Sequence, residues 1–213
     1  MSDIFREIDE ELRRENLLKL WSRYGKYVIV AAVLIVVIAG AIVGWREHQA
    51  SERRAQSGRY SAALALVREG KNADARKLFA SLAEEGGGYG LLASFQEAEL
   101  LAKNGDRKGA VAAYDKLAGS SGIDREFRDL AVLLSVMHGL PDSDPKIALE
   151  RLQRLTDDGN PWRASALELT AGAKLKMGDR DGALDIYKKL ADDQTAPQRL
   201  RARAAEMAAA LAS

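Results

Sequence analysis

The chain has 213 residues, with 32 Lys plus Arg against 31 Asp plus Glu, two histidines and no cysteine. Such a balance lacks the electrostatic footprint of a nucleic-acid binder. Without cysteine there is no disulfide framework and no thiolate chemistry, and two lone histidines, His48 and His138, make zinc ligation implausible.

Residues 1–25 read as an amphipathic tail. Ile4, Ile8 and Leu12 stack at i, i+4 spacing with Phe5 beside them, and Ser2 is placed to cap the helix start. This pattern suits a helix lying on the cytoplasmic membrane face, or one that docks a partner there.

Residues 26–46, "KYVIVAAVLIVVIAGAIVGWR", carry no charge between Lys26 and Arg46. The 19 residues from Tyr27 to Trp45 would extend about 28 Å as a helix, close to the ~30 Å hydrocarbon core of a bilayer. The segment is apolar all round, through Val36, and aromatic at its ends, as a transmembrane anchor is. A cleaved signal is the rival reading, because Ala39-Gly40-Ala41 has a cleavage-like pattern. However, the apolar run continues through Ile42 and Val43, and the preceding flank is long and rich in both charges. Gly40 and Gly44 are spaced for close approach of another helix. Six bases precede the span (Arg6, Arg13, Arg14, Lys19, Arg23, Lys26) and four follow it (Arg46, Arg53, Arg54, Arg59), which favours a cytoplasmic N-terminus.

Residues 47–213 are rich in Ala, Leu, Arg and Glu, with little β-branched alternation, so the expected fold is all-α. Four segments repeat: "REGKNADARKLFASLA", "KNGDRKGAVAAYDKLA", the degenerate "PDSDPKIALERLQRLT" and "KMGDRDGALDIYKKLA". They align the small residues Ala75, Ala110, Ala148 and Ala183. Four positions on stand Phe79, Tyr114, Leu152 and Tyr187, followed by Leu82, Leu117, Leu155 and Leu190, at intervals of 35, 38 and 35 residues. An apolar-periodic stretch precedes each copy, at 54–69, 90–103, 125–138 and 162–176.

Each unit therefore reads as a helix, a turn and a second helix, and the pattern resembles the tetratricopeptide repeat. The alanine lets helices approach, and the residue four on fills the gap between units. The expected architecture is one N-terminal transmembrane helix, then a tetratricopeptide-like α-solenoid of about four helix pairs. Its repeats lie at about 54–84, 88–119, 124–157 and 161–192, with a C-terminal capping helix at 197–212. Ala63, Ala98 and Ala171 stand where the repeat commonly has glycine, and the third unit carries extra residues and two prolines.

No catalytic constellation is present. Asp142, Asp144, Asp157 and Asp158 lack calcium-loop spacing and read as turn formers and caps. "EEGGGYG" at 84–90 lacks the strand and the Gly-Lys-Ser/Thr of a phosphate loop, and reads as a flexible linker. No G-x-S-x-G occurs. The expectation is a binding protein rather than an enzyme, with no cofactor. The repeat register points to Tyr60, Leu64, Phe95, Glu99, Arg128, Trp162 and Glu168 as lining a partner groove, where aromatic and Arg anchors concentrate interface energy. Core packing is the competing reading for Phe95 and Trp162.

The order "IFREIDEELRRE", "LWSRYGKYVI", one span and a divergent repeat domain resembles the YfgM-like family, ancillary subunits of the SecYEG translocon. The resemblance implies a single-pass protein of the bacterial inner membrane, with its N-terminus in the cytoplasm and its repeats in the periplasm. It also implies contacts with translocon subunits, periplasmic chaperones and exported client proteins. A tethered scaffold for envelope assembly or division is the alternative from the residues alone, and divergent repeats also permit a homo-oligomer.

Overall fold

The computed structural model describes the backbone of residues 2–213, and side chains from Leu18 onward except those of residues 19, 20, 28, 31 and 32. The facing of Ile4, Phe5, Ile8 and Leu12 lies outside the described residues. The described residues form helices and turns without a strand. Helix α1 runs Ser2–Arg68, α2 Asn72–Glu85, α3 Gly87–Lys103, α4 Arg107–Ala118 and α5 Arg125–Gly139. Then follow α6 (Pro145–Leu152) with a 3-10 turn at Gln153–Thr156, α7 (Arg163–Lys176), α8 (Arg180–Asp192) and α9 (Gln198–Ala212). The chain divides into two compact units, residues 1–55 and 56–213, and α1 contributes to both.

No helix start separates the apolar stretch from the first repeat, where the sequence suggested a fresh helix near residue 54. Residues 46–68 contain no proline, and a lone Gly58 in a helix costs only about 1 kcal/mol. Side chains one or two turns apart also pair there: His48 with Glu52 at 3.3 Å and Arg54 with Glu47 at 3.3 Å.

In the second unit each helix packs on the next, and α5 also touches α7, and α7 touches α9. The first helices of the third and fourth pairs and the last helix thus stand side by side, as in a solenoid. The core runs as successive small clusters. Tyr60, Ala63 and Leu64 of α1 join Ala75, Phe79 and Leu82 of α2 with Ala93 and Leu100 of α3. At the far end, Ala183, Tyr187 and Leu190 of α8 meet Leu200, Ala204 and Ala208 of α9.

Three of the four turns within pairs close identically. Gly70, Gly105 and Gly178 take φ of +75°, +87° and +82°. The next residue donates back to the helix, Lys71 to Leu66, Asp106 to Leu101 and Asp179 to Lys174, in Schellman geometry. Asp106 and Asp179 then cap the following helix, accepting from Gly109 and Gly182 at 2.9 Å. The third turn has no positive φ. There Asp144 caps α6 by accepting from the Lys146 N–H, and Pro145 occupies the first helical turn.

The glycine run at 84–90 is not a linker loop. Only Gly86 separates α2 from α3, and Gly87, Gly88 and Gly90 are helical. A Cβ on Gly90 would stand 2.8 Å from the Leu82 carbonyl oxygen, so glycine there permits the close crossing of α2 and α3.

Candidate interaction surface and membrane anchor

Within unit 1, the described side chains of the apolar stretch face outward. Tyr27, Val36 and Trp45 are 62%, 71% and 67% exposed. An added Cβ at Gly40 or Gly44 would meet nothing within 4 Å, so the chain's own packing does not require glycine at either position. At the polar end, Lys26 Nζ lies 5.1 Å from the Tyr27 ring centroid and Arg23 Cζ 5.8 Å from that of Tyr24. Among the described residues this is the one helix long and apolar enough to cross a membrane.

In unit 2, Ala75, Phe79, Leu82, Ala110, Tyr114, Ala148, Leu152, Leu155, Ala183, Tyr187 and Leu190 are buried, and Leu117 is half-buried. Tyr114 of α4 stacks on His138 of α5, with centroids 5.6 Å apart and planes 7° from parallel. Its hydroxyl lies 3.5 Å from Glu99 of α3, whose carboxylate is also 3.3 Å from His138 Nε2. Burial, and then the Glu99 charge, push the Tyr114 hydroxyl well above its ordinary value. Tyr187 is raised in the same way, by burial and then by Glu168. These phenols remain neutral packing groups.

The seven residues assigned to a groove are engaged within the chain. Tyr60 packs on Phe79 at 5.5 Å and Tyr89 at 5.8 Å, and Leu64 joins the same cluster. Phe95 sits 6.1 Å from Tyr114, while Glu99 joins Tyr114 and His138. Arg128 donates to the Ile123 carbonyl. The Trp162 indole N–H donates to the Glu126 carbonyl at 2.9 Å. Glu168 accepts two bonds from Arg203 at 2.9 and 2.8 Å. The structure brings Phe95 and Glu99 together around Tyr114, and Tyr60 and Leu64 around Phe79, and leaves Arg128, Trp162 and Glu168 at separate contacts.

Several polar residues that the repeat ruler did not single out join neighbouring units. Asn72 donates to Asn104 at 3.0 Å, Arg107 pairs with Asp142 at 2.8 Å, and Arg180 donates twice to the Leu211 carbonyl. Buried Ser135 donates to Asp115 at 2.6 Å, and Arg151 reaches the same carboxylate oxygen. Arg163 links to Asp193 at 2.8 Å. Spacing is the one signal that could have found the first three, whose partners stand 31 to 35 residues on.

Known proteins share this layout. The tetratricopeptide repeat-like domain family matches residues 19–208, the apolar stretch included. The chain belongs to this family. It is also similar to an ancillary SecYEG translocon subunit of Escherichia coli (strain K12), at 31% identity over 180 residues, covering 82% of this chain and 83% of that protein. Both agree with the resemblance carried by the tail, span and repeats. Among the described residues, no three His, Cys, Asp or Glu side chains assemble as a metal-binding group.

Proposed function

We propose that the chain is a membrane-anchored protein–protein interaction adaptor. It serves as an ancillary subunit linking the protein-export translocon to periplasmic chaperones and exported clients. The carrying observation is the similarity to the translocon subunit across 82% of the chain. The family match from residue 19 takes in the apolar stretch, which supports reading it as a permanent anchor. In this reading the span docks to other membrane helices through the bare strip at Gly40 and Gly44, where side chains are absent without internal reason. The excess of bases before the span supports a cytoplasmic N-terminus in a bacterial inner membrane, with the repeats in the periplasm.

Two experiments test the reading. Protease added to sealed spheroplasts should digest the repeat domain and spare the tail, and the reverse pattern refutes the orientation. Photocrosslinkers placed within residues 30–44 should label a translocon subunit, and a scrambled span should not. Equal labelling by both refutes docking through the span.

A further inference from the structure

The part of α1 that leads into the apolar stretch carries bases that the chain leaves without acids. No Asp or Glu occurs between Glu15 and Glu47, while Lys19, Arg23 and Lys26 follow at i, i+4 and i+7, one face of the helix. Glu15 stands one turn from Lys19, but about two turns from Arg23 and three from Lys26. Among the described residues no carboxylate pairs with Arg23 or Lys26. Each leans instead on the ring of the next residue, Arg23 Cζ 5.8 Å from the Tyr24 centroid and Lys26 Nζ 5.1 Å from that of Tyr27. A ring cancels no charge, and a cation lying over one keeps N–H donors for an anion. The other end of the stretch differs: there Arg54 pairs with Glu47 and Arg53 donates to Gln49, both at 3.3 Å.

Position along the helix sets the depth of these bases. The apolar stretch begins at Tyr27, so Lys26 and Arg23 stand roughly 2 and 6 Å before it. The headgroup layer on each side of the hydrocarbon is roughly 5–8 Å thick. Trp21, Tyr24 and Tyr27 are exposed beside the basic face, and rings of this kind settle at the same level. The Trp21 indole packs over Gly25, where an added Cβ would stand 3.2 Å from it.

We propose that this face is a seat for the headgroup of an anionic phospholipid. Arg23 and Lys26, three residues apart on one side of the helix, converge on its phosphate, and Lys19 adds to the field one turn farther out. A zwitterionic lipid brings its own ammonium beside the phosphate and is held less tightly. The seat rests on the anchor reading, which puts this face at a bilayer surface.

The test is native mass spectrometry of the full-length protein in mild detergent, titrated with phosphatidylglycerol or phosphatidylcholine. The first phosphatidylglycerol should bind about tenfold tighter than the first phosphatidylcholine, a preference that weakens with salt. Arg23→Gln/Lys26→Gln, at two exposed positions, should bring the two affinities together, and Arg23→Lys should keep most of the difference. Arg13→Gln/Arg14→Gln removes the same charge from the same end of α1 but off this face, and should leave the preference intact. Equal affinity for the two lipids, equal loss in both double variants, or displacement of the lipid by inorganic phosphate overturns the seat. Flotation with vesicles after an alkaline wash reports separately on the anchor: the native chain and both double variants should stay with the lipid. Release of the native chain would refute the anchor and the seat with it.

Discussion

Lys176 of α7 donates from its ammonium to the carbonyl of Leu140, 2.8 Å away at the end of α5. The same nitrogen reaches the carbonyls of Pro141 at 3.0 Å and Ser143 at 2.7 Å. This turn is the one within a pair that lacks a glycine at positive φ, and three carbonyls of its loop are met from the next repeat. An irregular turn is thereby made dependent on its neighbour.

Lys176→Met, which keeps the aliphatic stem and removes the donors, should destabilise the protein by about 1 kcal/mol, a modest figure because the site is exposed to water. Urea unfolding of the purified protein reads this as a lower midpoint with unchanged slope. An unchanged midpoint would show that water serves these carbonyls equally well.

Glycines that look alike in the sequence should respond differently. Gly178→Ala forces a side chain into φ +82° and should cost about 1–2 kcal/mol. At Gly182 φ is ordinary, but a Cβ would stand 2.4 Å from Asp179 Oδ2, so alanine displaces the α8 cap and should cost about 1 kcal/mol. Adding Asp179→Ala on top of Gly182→Ala should then cost little more. Additive losses in a double-mutant cycle would separate the glycine from the cap.

Acid should weaken the repeat domain through named carboxyls. Asp142 is held below its ordinary value of 3.8 chiefly by the Arg107 hydrogen bond, Asp179 by Lys174, and Asp193 by the Thr195 hydroxyl. A carboxyl depressed in the folded state binds protons more readily when unfolded. Its stabilisation is therefore complete above the ordinary range and is lost as pH falls through the folded value. The denaturation midpoint should be insensitive to these groups near neutrality and fall below about pH 4. Replacing all three with asparagine should flatten that decline, and an unchanged acid slope would place the linkage elsewhere.

The helix pairs are legible because each repeat states its packing twice. Ala110 and Ala183 are fully buried, and the aromatic residues four positions on, Tyr114 and Tyr187, are buried with them. A fixed offset on a helix fixes a fixed neighbour. The glycine run at 84–90 misled because glycine serves both looseness and close approach, and only the Leu82 carbonyl beneath Gly90 distinguishes them. The groove positions followed the ruler onto the first helices, but spacing carries no information on what a side chain meets across a repeat boundary. Glu168 is a case in point: Arg203, its partner, lies in the capping helix, 35 residues on. Asp129 drew no notice at all, because its partner Asn160 stands in a loop outside the repeat register.

The central claim is that this chain works as a translocon-bound adaptor through its span. The most direct measurement is quantitative co-purification from native membranes in mild detergent. It compares the full-length protein with the same chain carrying an unrelated apolar segment in place of residues 27–45. The adaptor account predicts translocon subunits with the native chain and their loss with the exchanged span, while the repeat domain stays folded. Translocon recovery indifferent to the span, or absent from both proteins, would contradict it and favour a tethered scaffold.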